Sequence, residues 1–371
     1  MNIGFDAKRA FMNASGLGNY SRTVIQSLME YFPENKYVAF TPQMEGGLGN
    51  ELMAAGKLKI ILPPQLMRGF LSSWWRSSMV SEDIRAQNLD VFHGLSNELP
   101  KRIPFSTKKI VTIHDLIFLR YPEWYPLIDR NIYYKKFRSA CKQADEVVAV
   151  SEQTKKDIMY FFNTPEKKIK VIYQSCDRIF LNRLAKESVI EFRKNKKLPE
   201  RFILYVGTIE ERKNLLALVR ALDKLKDVSL IVIGKKKKYF EKVDAYIKSN
   251  NLGARIFFPE VTGSNELQFY YQSAEAFVYP SLYEGFGIPV IEALYSGTPV
   301  ITSSTSALPE AGGPSSLYIN PNDADELADK LNRIMSDPLL RESMIREGLN
   351  YVKRFHPKET ALQMMNLYNG N

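Results

Sequence analysis

The sequence predicts an α/β protein built as two doubly wound, Rossmann-like halves, and three observations carry that prediction. Short apolar runs recur along the chain and alternate with longer segments of helical period, the pattern that stacked βαβ units produce. The rhythm breaks once, after "YQSCD", where the polar stretch "RLAKESVIEFRKNKKLPE" intervenes before a fresh apolar run, "RFILYVGT". A length of 371 residues is enough for two domains with separate cores.

The first half offers "MNIGFD", "YVAF", "LKIIL", "DVFHG", "KIVTIHD", "EVVAVS" and "KIKVIYQ" as strands. Between them, Tyr20, Val24, Leu28 and Phe32 mark one face of a helix, and Ile132, Phe137, Cys141 and Ala144 mark another. Ser151 is placed to cap the helix after "VVAV". The second half supplies "RFILYVGT", "SLIVIG", "RIFFPE", "AFVYPS", "PVITSS" and "SLYIN". Helices are expected over about 323–336 and 338–354, with a last one after Pro357 carrying Leu362, Met365 and Leu367. The expected domains are 1–177 and 178–356, the helix at about 357–371 packing back on the first. If the halves face each other, the C-terminal ends of both sets of strands meet one cleft, so functional motifs belong just after strands.

Composition excludes several classes. An apolar content of 45% with 25% charged residues suits a globular chain, and two cysteines, Cys141 and Cys176, argue against a disulfide framework. The start lacks a basic region followed by an apolar one, and no run approaches the roughly 18 apolar residues needed to span a bilayer, so the expected location is cytoplasmic. A net charge of +10 suits a nucleotide, a nucleic acid or an acidic lipid surface. The basic residues are scattered over many loops without a recognition motif, so no nucleic-acid partner is expected.

At the strand ends, "NASGLGNYS" opens a helix at Gly16 and Gly18, where backbone N–H groups and the helix dipole suit a phosphate. The spacing falls short of the dinucleotide fingerprint, and a plain tight turn is the alternative. In "IEERKNL", Arg212 and Lys213 precede a helix whose cap is read as Asn214; the pair suits a diphosphate, or else is a solvated surface pair. His114 and Asp115 end "KIVTIHD". Cysteine and histidine never cluster, so no protein-bound metal is expected, and "DAD" at 323–325 reads as a helix cap rather than a metal motif. In "YEGFGIPVIEAL", Glu284 lies in a loop, Gly285, Phe286 and Gly287 allow close backbone approach, Ile288 and Pro289 start a helix, and Glu292 sits a turn inside it. One acid could hold a hexose and the other a ribose, or Glu284 is exposed and Glu292 merely partners the dipole. The lysine run at 235–238 is a solvated loop or a nucleotide contact. The stretch "QLMRGFLSSWWRSSM", 65–79, combines Trp74, Trp75, Leu66, Phe70, Leu71, Arg68 and Arg76; it is a core helix or an amphipathic segment on an anionic membrane, its polar face of Ser72, Ser73, Ser77 and Ser78 being weak.

Taken together these residues resemble the retaining glycosyltransferases of family 4, which have the two-domain GT-B fold. "GLGNYS", "VTIHD", "VVAVSEQTKKDI", "YVGTIEERKNL", "PSLYEGFGIPVIEALYSGTPVITS" and "LPEAGG" occur in the family's order over nearly the whole chain. The resemblance implies that Glu284 contacts the transferred sugar and Glu292 the ribose, that Arg212 and Lys213 hold the diphosphate, and that His114 lies by the donor hexose. Gly16 and Gly18 would lie by the phosphate and acceptor, Val261 by the base, and Gly285, Phe286, Gly287 and Ile288 along the nucleotide sugar. It further implies metal-independent transfer with retained anomeric configuration, no cofactor, and a saccharide acceptor; a lipid-linked saccharide acceptor with peripheral membrane contact is what the membrane reading of 65–79 would suit. The lysine run replaces a mixed turn in the family. "GLGNYS" with "HDLIFLRYPEWY" is similar to bacterial mannosyltransferases of surface-polysaccharide assembly, which implies GDP-mannose as donor. A UDP-hexose or UDP-N-acetylhexosamine is the alternative, and a non-catalytic nucleotide-sugar-binding or scaffold subunit is the alternative of another class. On the catalytic reading, Lys213→Ala and Glu284→Ala abolish most transfer and spare the fold.

Overall fold

The computed structural model of the protein describes residues 1–370 except 55, 68 and 70–73. Two compact units emerge: Met1–Cys176 with Phe355–Asn371, and Asp177–Arg354. In the first, strands β1 (Asn2–Asp6), β2 (Lys36–Phe40), β3 (Leu58–Ile61), β4 (Val91–Gly94), β5 (Lys108–Ile113), β6 (Glu146–Ala149) and β7 (Ile169–Val171) form a sheet in the order β3-β2-β1-β4-β5-β6-β7. In the second, β8 (Phe202–Val206), β9 (Ser229–Ile233), β10 (Ile256–Phe257), β11 (Ala276–Tyr279), β12 (Val300–Ser303) and β13 (Leu317–Ile319) take the order β10-β9-β8-β11-β12-β13. Every pairing between these strands is parallel. All thirteen predicted apolar runs coincide with one of these strands, β2 and β5 starting one residue before their runs. Both orders are doubly wound, and each reverses direction once, between β1 and β4 and between β8 and β11.

A parallel sheet is covered on both faces, which is why its strands read as nearly continuous apolar runs. Period-two alternation then sends neighbours to opposite cores: Tyr37 and Ala39 join one cluster with Ile3 and Phe5, whereas Val38 and Phe40 join another with Phe92 and Trp75. Caps fall where the short polar side chains predict them. Ser151 Oγ accepts from Thr154 N–H at 3.0 Å, and Asp323 Oδ1 accepts from Asp325 and Glu326 N–H at 3.0 and 2.9 Å.

The C-terminal helix Pro357–Asn369 buries Met364, Met365, Leu367 and Tyr368 in the same cluster as Tyr20, Val24 and Leu28 of helix Gly16–Tyr31. A buried chain of polar groups fastens it. The Tyr368 hydroxyl lies 2.7 Å from His93 Nδ1, His93 Nε2 lies 2.8 Å from Thr112 Oγ1, and the Tyr20 hydroxyl is 3.1 Å from the same oxygen. Burial pushes the His93 imidazole down to about 3, so it serves this chain as a neutral ring. Because Met364 is fully buried, Met364→Ala is expected to cost about 2–5 kcal/mol, read as a lower denaturation midpoint of the first unit. A loss below about 0.5 kcal/mol would contradict this packing.

Some expectations need correction. Ile132 and Leu362 are 44% and 42% exposed, so neither points inward; Phe137, Ala140 and Cys141 carry the first helix face, and Met364 replaces Leu362 in the second. The polar stretch after the first unit contains a helix, Lys186–Asn195, with no fully buried residue. Asn214 starts its helix at a left-handed φ of +55° without capping it; its side-chain amide donates to the Pro280 and Pro321 carbonyls at 3.2 and 2.7 Å. The tryptophan pair divides: Trp75 is buried with Nε1 donating to Asp83 at 2.9 Å, and Trp74 is half exposed. Arg68 and Phe70 to Ser73 of that stretch lie outside the described residues, as do the side chains of Leu66, Ser77 and Ser78. No described helix is long and apolar enough to cross a membrane.

Candidate active site

The second unit gathers its charge where β8 and β11 diverge, the kind of strand edge at which open α/β sheets bind ligands. Two glycines shape the approach. Gly207 and Gly234 end β8 and β9 at φ of +152° and +157°, and a Cβ on Gly234 would stand 1.9 Å from the Gly207 carbonyl oxygen. The loops that follow therefore run together, Ile209 N–H donating to Lys235 O at 2.9 Å and Lys237 N–H to Ile209 O at 3.2 Å. The turn Glu211–Lys213 is then pinned to the loop after β11: Leu282 N–H donates to Arg212 O, and Arg212 Nη1 to Tyr283 O, both at 2.8 Å. Glu284 N–H donates to Ser306 Oγ at 3.0 Å, which holds the glutamate from the β12 side.

Arg212, Lys213 and Glu284 meet directly. Arg212 Nη1 is 2.7 Å from Glu284 Oε2 and Lys213 Nζ is 2.6 Å from Glu284 Oε1. The Tyr279 hydroxyl donates to the same Oε1 at 3.0 Å and is itself in contact with Lys213 Nζ. Burial alone would raise the Glu284 carboxyl, but Arg212 and Lys213 hold it down to about 2. Burial lowers the Lys213 ammonium below the ordinary lysine range, with Glu284 pulling the other way. A second acid, Glu210, accepts from Arg212 Nη2 at 2.9 Å and pairs with Lys237. Three cations thus face two carboxylates, and the surplus positive charge suits an anion. The alternatives of an exposed Glu284 and a solvated basic pair do not describe this geometry. Within the lysine run, Lys237 joins the network and Lys236 stacks on Phe240 and Phe258 at 4.3 and 4.5 Å.

Gly285 to Gly287 are buried and lead into helix Ile288–Tyr295, with Gly287 at φ +132° where a Cβ would crowd Leu308 and Ala311. Glu292 lies inside that helix, apart from the triad, with Oε2 accepting from the Tyr271 hydroxyl at 3.0 Å. Burial pushes its carboxyl up to about 7, Asp177 adding to the rise and the Tyr271 bond opposing it. The two glutamates are therefore driven in opposite directions and share no proton. Glu292 binds a proton more tightly in the folded chain than in the unfolded one, so its contribution to stability is intact below pH 4.5 and declines as pH rises toward 7. Glu292→Gln should raise the denaturation free energy at pH 8 by up to about 3 kcal/mol and change it little at pH 4.5, a difference that chemical denaturation at the two pH values measures. Val261 is half-buried in the loop after β10, two strands from β8, roughly 10 Å along the sheet edge.

The first unit holds the remaining candidates. Gly16 is exposed with open space around it, whereas Gly18 is a glycine for packing: a Cβ there would stand 1.8 Å from Asn13 O. Its N–H donates to Ser15 O at 2.9 Å, so only part of the expected N–H array is available to a phosphate. His114 follows β5 and is buried against Tyr20, with Nε2 2.8 Å from Leu95 O and Nδ1 3.0 Å from Gln174 Nε2. A carbonyl can only accept, so Nε2 carries the hydrogen and Nδ1 receives one from the Gln174 amide. Burial pushes the ring down to about 4, and His114 is a neutral, doubly bonded imidazole. His356 caps the last helix, Nδ1 accepting from Lys358 N–H at 3.2 Å.

Several charged and polar groups escaped the sequence reading, whereas Lys237 and Arg76 stand in stretches it named, the lysine run and the tryptophan stretch. Tyr279, Glu210, Lys237 and Ser306 complete the triad's surroundings, and in the first unit Arg76 clamps Asp6 at 2.6 Å and Glu98 at 2.9 Å. Asp6 had a signal, since it ends β1; Arg76 comes from a remote segment and had none. Its place beside Asp6 removes it from any membrane-facing stripe. Among the described residues, no group of three or more His, Cys, Asp or Glu is arranged to hold a metal ion.

Comparison with known proteins agrees with this architecture. Residues 16–178 match the model described as Glycosyltransferase Family 4, and residues 186–351 match that of Glycosyl transferases group 1. The chain is 26% identical to O-antigen chain mannosyltransferase B of Escherichia coli, over 95% of this chain and 96% of that protein. It is 29% identical to O-antigen chain mannosyltransferase RfbU of Salmonella typhimurium, over 68% of this chain and 67% of that one. Its fold is similar to that of Anabaena HepE, crystallised with UDP and glucose, with a TM-score of 0.79 at 16% identity over all of both chains. With each half matched in turn and both sheets wound as that fold requires, the chain belongs to glycosyltransferase family 4 and has the GT-B fold.

Proposed function

We propose that the protein transfers a hexose, mannose from GDP-mannose, to a saccharide or lipid-linked saccharide acceptor in the assembly of a surface glycan, with retained anomeric configuration and without a metal. The observation that carries this reading is the Arg212–Glu284–Lys213 triad with its surplus positive charge at the β8/β11 edge. On this reading the two cations receive the diphosphate, Glu284 meets the transferred hexose, Glu292 the ribose and Val261 the base, while Gly285, Phe286, Gly287 and Ile288 border the nucleotide sugar. From the first unit, Gly16 and Gly18 are proposed to serve the phosphate and the acceptor. His114 serves the hexose through shape and placement, since both its ring nitrogens are already bonded.

The C1–O bond to the diphosphate breaks and the acceptor oxygen bonds to C1 on the same face. The acceptor's proton passes to the departing phosphate oxygen. Arg212 and Lys213 stabilise the charge that collects on that group, and the preorganised site supplies the rest by positioning. Mannose is favoured because the two curated relatives named above are mannosyltransferases. A screen of GDP-mannose against UDP-hexoses and UDP-N-acetylhexosamines, reading protein-dependent release of free nucleotide, tests this. Release from GDP-mannose alone is the expected outcome; release only from a UDP-sugar replaces the donor, and none at all favours a non-catalytic binding subunit.

A further inference from the structure

Glu210, in the loop after β8, stands between two cations of different exposure. Its Oε1 accepts from Arg212 Nη2 at 2.9 Å and its Oε2 pairs with Lys237; the Arg212 side chain is 16% exposed and that of Lys237 57%. Backbone contacts deliver both partners. Ile209, fully buried, is bridged to Lys236, and Lys236 is pinned by its stacking on Phe240 and Phe258, so Lys237 is brought beside the acid. From the other side, the turn Glu211–Lys213 is fixed to the loop after β11, which sets the Arg212 guanidinium against Glu284. Among the described residues the Glu210 carboxylate has no other hydrogen-bond partner, whereas Glu284 is also held by Lys213 and Tyr279. Burial alone would raise the Glu210 carboxyl, but its bond to Lys237 and the charge of Arg212 hold it below the ordinary carboxylate range, so it is ionised at neutral pH.

A guanidinium grips a phosphate through a planar fork of N–H donors, and a carboxylate asks for the same donors. Both terminal nitrogens of Arg212 are engaged: Nη1 serves Glu284 and the Tyr283 carbonyl, and Nη2 serves Glu210. A diphosphate that engages the whole fork must therefore displace an acid, and the one with fewer ties is Glu210. Left charged beside two phosphates, that acid would repel them. Lys237 gives it an alternative partner at the rim. We propose that Glu210 is a place-holding acid of the diphosphate seat: it competes with phosphate oxygens for Arg212 Nη2, Lys237 draws it aside, and together the pair sets how tightly a nucleoside diphosphate binds. Both act through Arg212 and are positioning residues. The inference rests on the reading above that Arg212 and Lys213 receive the diphosphate.

GDP and GMP are titrated calorimetrically into the full chain as wild type, Glu210→Gln, Lys237→Ala and the double variant, with UDP and UMP as a second pair; the pair that binds wild type more tightly is the one read. Glu210→Gln is expected to bind the diphosphate about tenfold more tightly than wild type, the scale of one charge-assisted contact freed for the ligand. Lys237→Ala should bind it about threefold to fivefold more weakly, the range of a rim-exposed ion pair. Once Glu210 has lost its charge, Lys237→Ala should change little, so the double variant binds within about twofold of Glu210→Gln. The monophosphate lacks the second phosphate and should move less than about threefold throughout. Misfolding weakens a ligand and does not tighten it, so the gain in Glu210→Gln is not a structural side effect. If Glu210→Gln binds no more tightly while wild type prefers the diphosphate, the inference fails and the transfer reading stands. An equal loss from Lys237→Ala with and without the Glu210 charge also overturns it, making Lys237 a direct phosphate contact. If wild type prefers neither GDP over GMP nor UDP over UMP, the diphosphate reading fails first and this inference with it.

Discussion

Lys213→Ala is expected to lower the rate of sugar transfer by roughly two to three powers of ten, the loss seen when one preorganised charge partner is taken from a transition state. Nζ of Lys213 is the compact point charge of the triad, 2.6 Å from Glu284 and in contact with the Tyr279 hydroxyl. Its removal leaves Glu284 paired with Arg212 at 2.7 Å, so no buried charge is orphaned and the melting curve should move little. Initial rates at saturating donor, with circular dichroism as the fold control, decide the matter. Turnover within tenfold of wild type would remove Lys213 from the chemistry. Lys213→Arg should recover only part of the loss, because a planar fork cannot replace a point charge between Tyr279 and Glu284.

Glu284→Ala should be worse, and for two reasons. It removes the sugar-facing acid, and it leaves Arg212 and Lys213 close together without the carboxylate that separates them. The sequence alone suggested that this substitution spares the fold; the burial of Glu284 between two cations makes a cost in stability the expected result instead. Removing one partner of a buried ion pair costs about 3–5 kcal/mol, because Arg212 and Lys213 lose the carboxylate they share. A fall of about 10 °C in the melting temperature of the second unit should accompany the loss of transfer. The linked pH dependence has a definite sign. The Glu284 carboxyl is depressed from 4.5 to about 2, so its stabilisation is present above pH 4.5 and is lost as pH falls toward 2. Wild type should therefore lose stability through that window more steeply than Glu284→Gln. Equal acid profiles would mean that the triad does not hold the carboxylate as described.

Much of this molecule was legible because its signals are local. Buried parallel strands need continuous apolar runs, and each predicted run overlaps a strand. Ser151 and Asp323 cap because a short side chain beside a helix start has few other options. The Gly-Phe-Gly turn and the two glutamates could be placed in loop and helix from Pro289 and the apolar period alone. What stayed hidden depends on distant partners. Whether Glu284 was exposed turned on the turn Glu211–Lys213 folding against it, and that turn is held by Gly207 and Gly234 through backbone contacts no spacing rule predicts. Ile132 and Leu362 show the limit of helical periodicity, since an apolar residue in register need not meet a covering element. Asn214 looked like a cap but turned its amide to Pro280 and Pro321, because a left-handed backbone there points the side chain elsewhere. Arg76 was unreadable as a partner of Asp6, 70 residues away.

The central claim is that Arg212 and Lys213 seat a diphosphate. Calorimetric titration of GDP and GMP into wild type and Lys213→Ala tests it without acceptor or turnover. The account predicts that the variant binds GDP about 100-fold more weakly while GMP affinity changes far less, since removing one charge-assisted contact to the second phosphate is worth about 1.5–3 kcal/mol. Equal GDP affinity in the two proteins would contradict it.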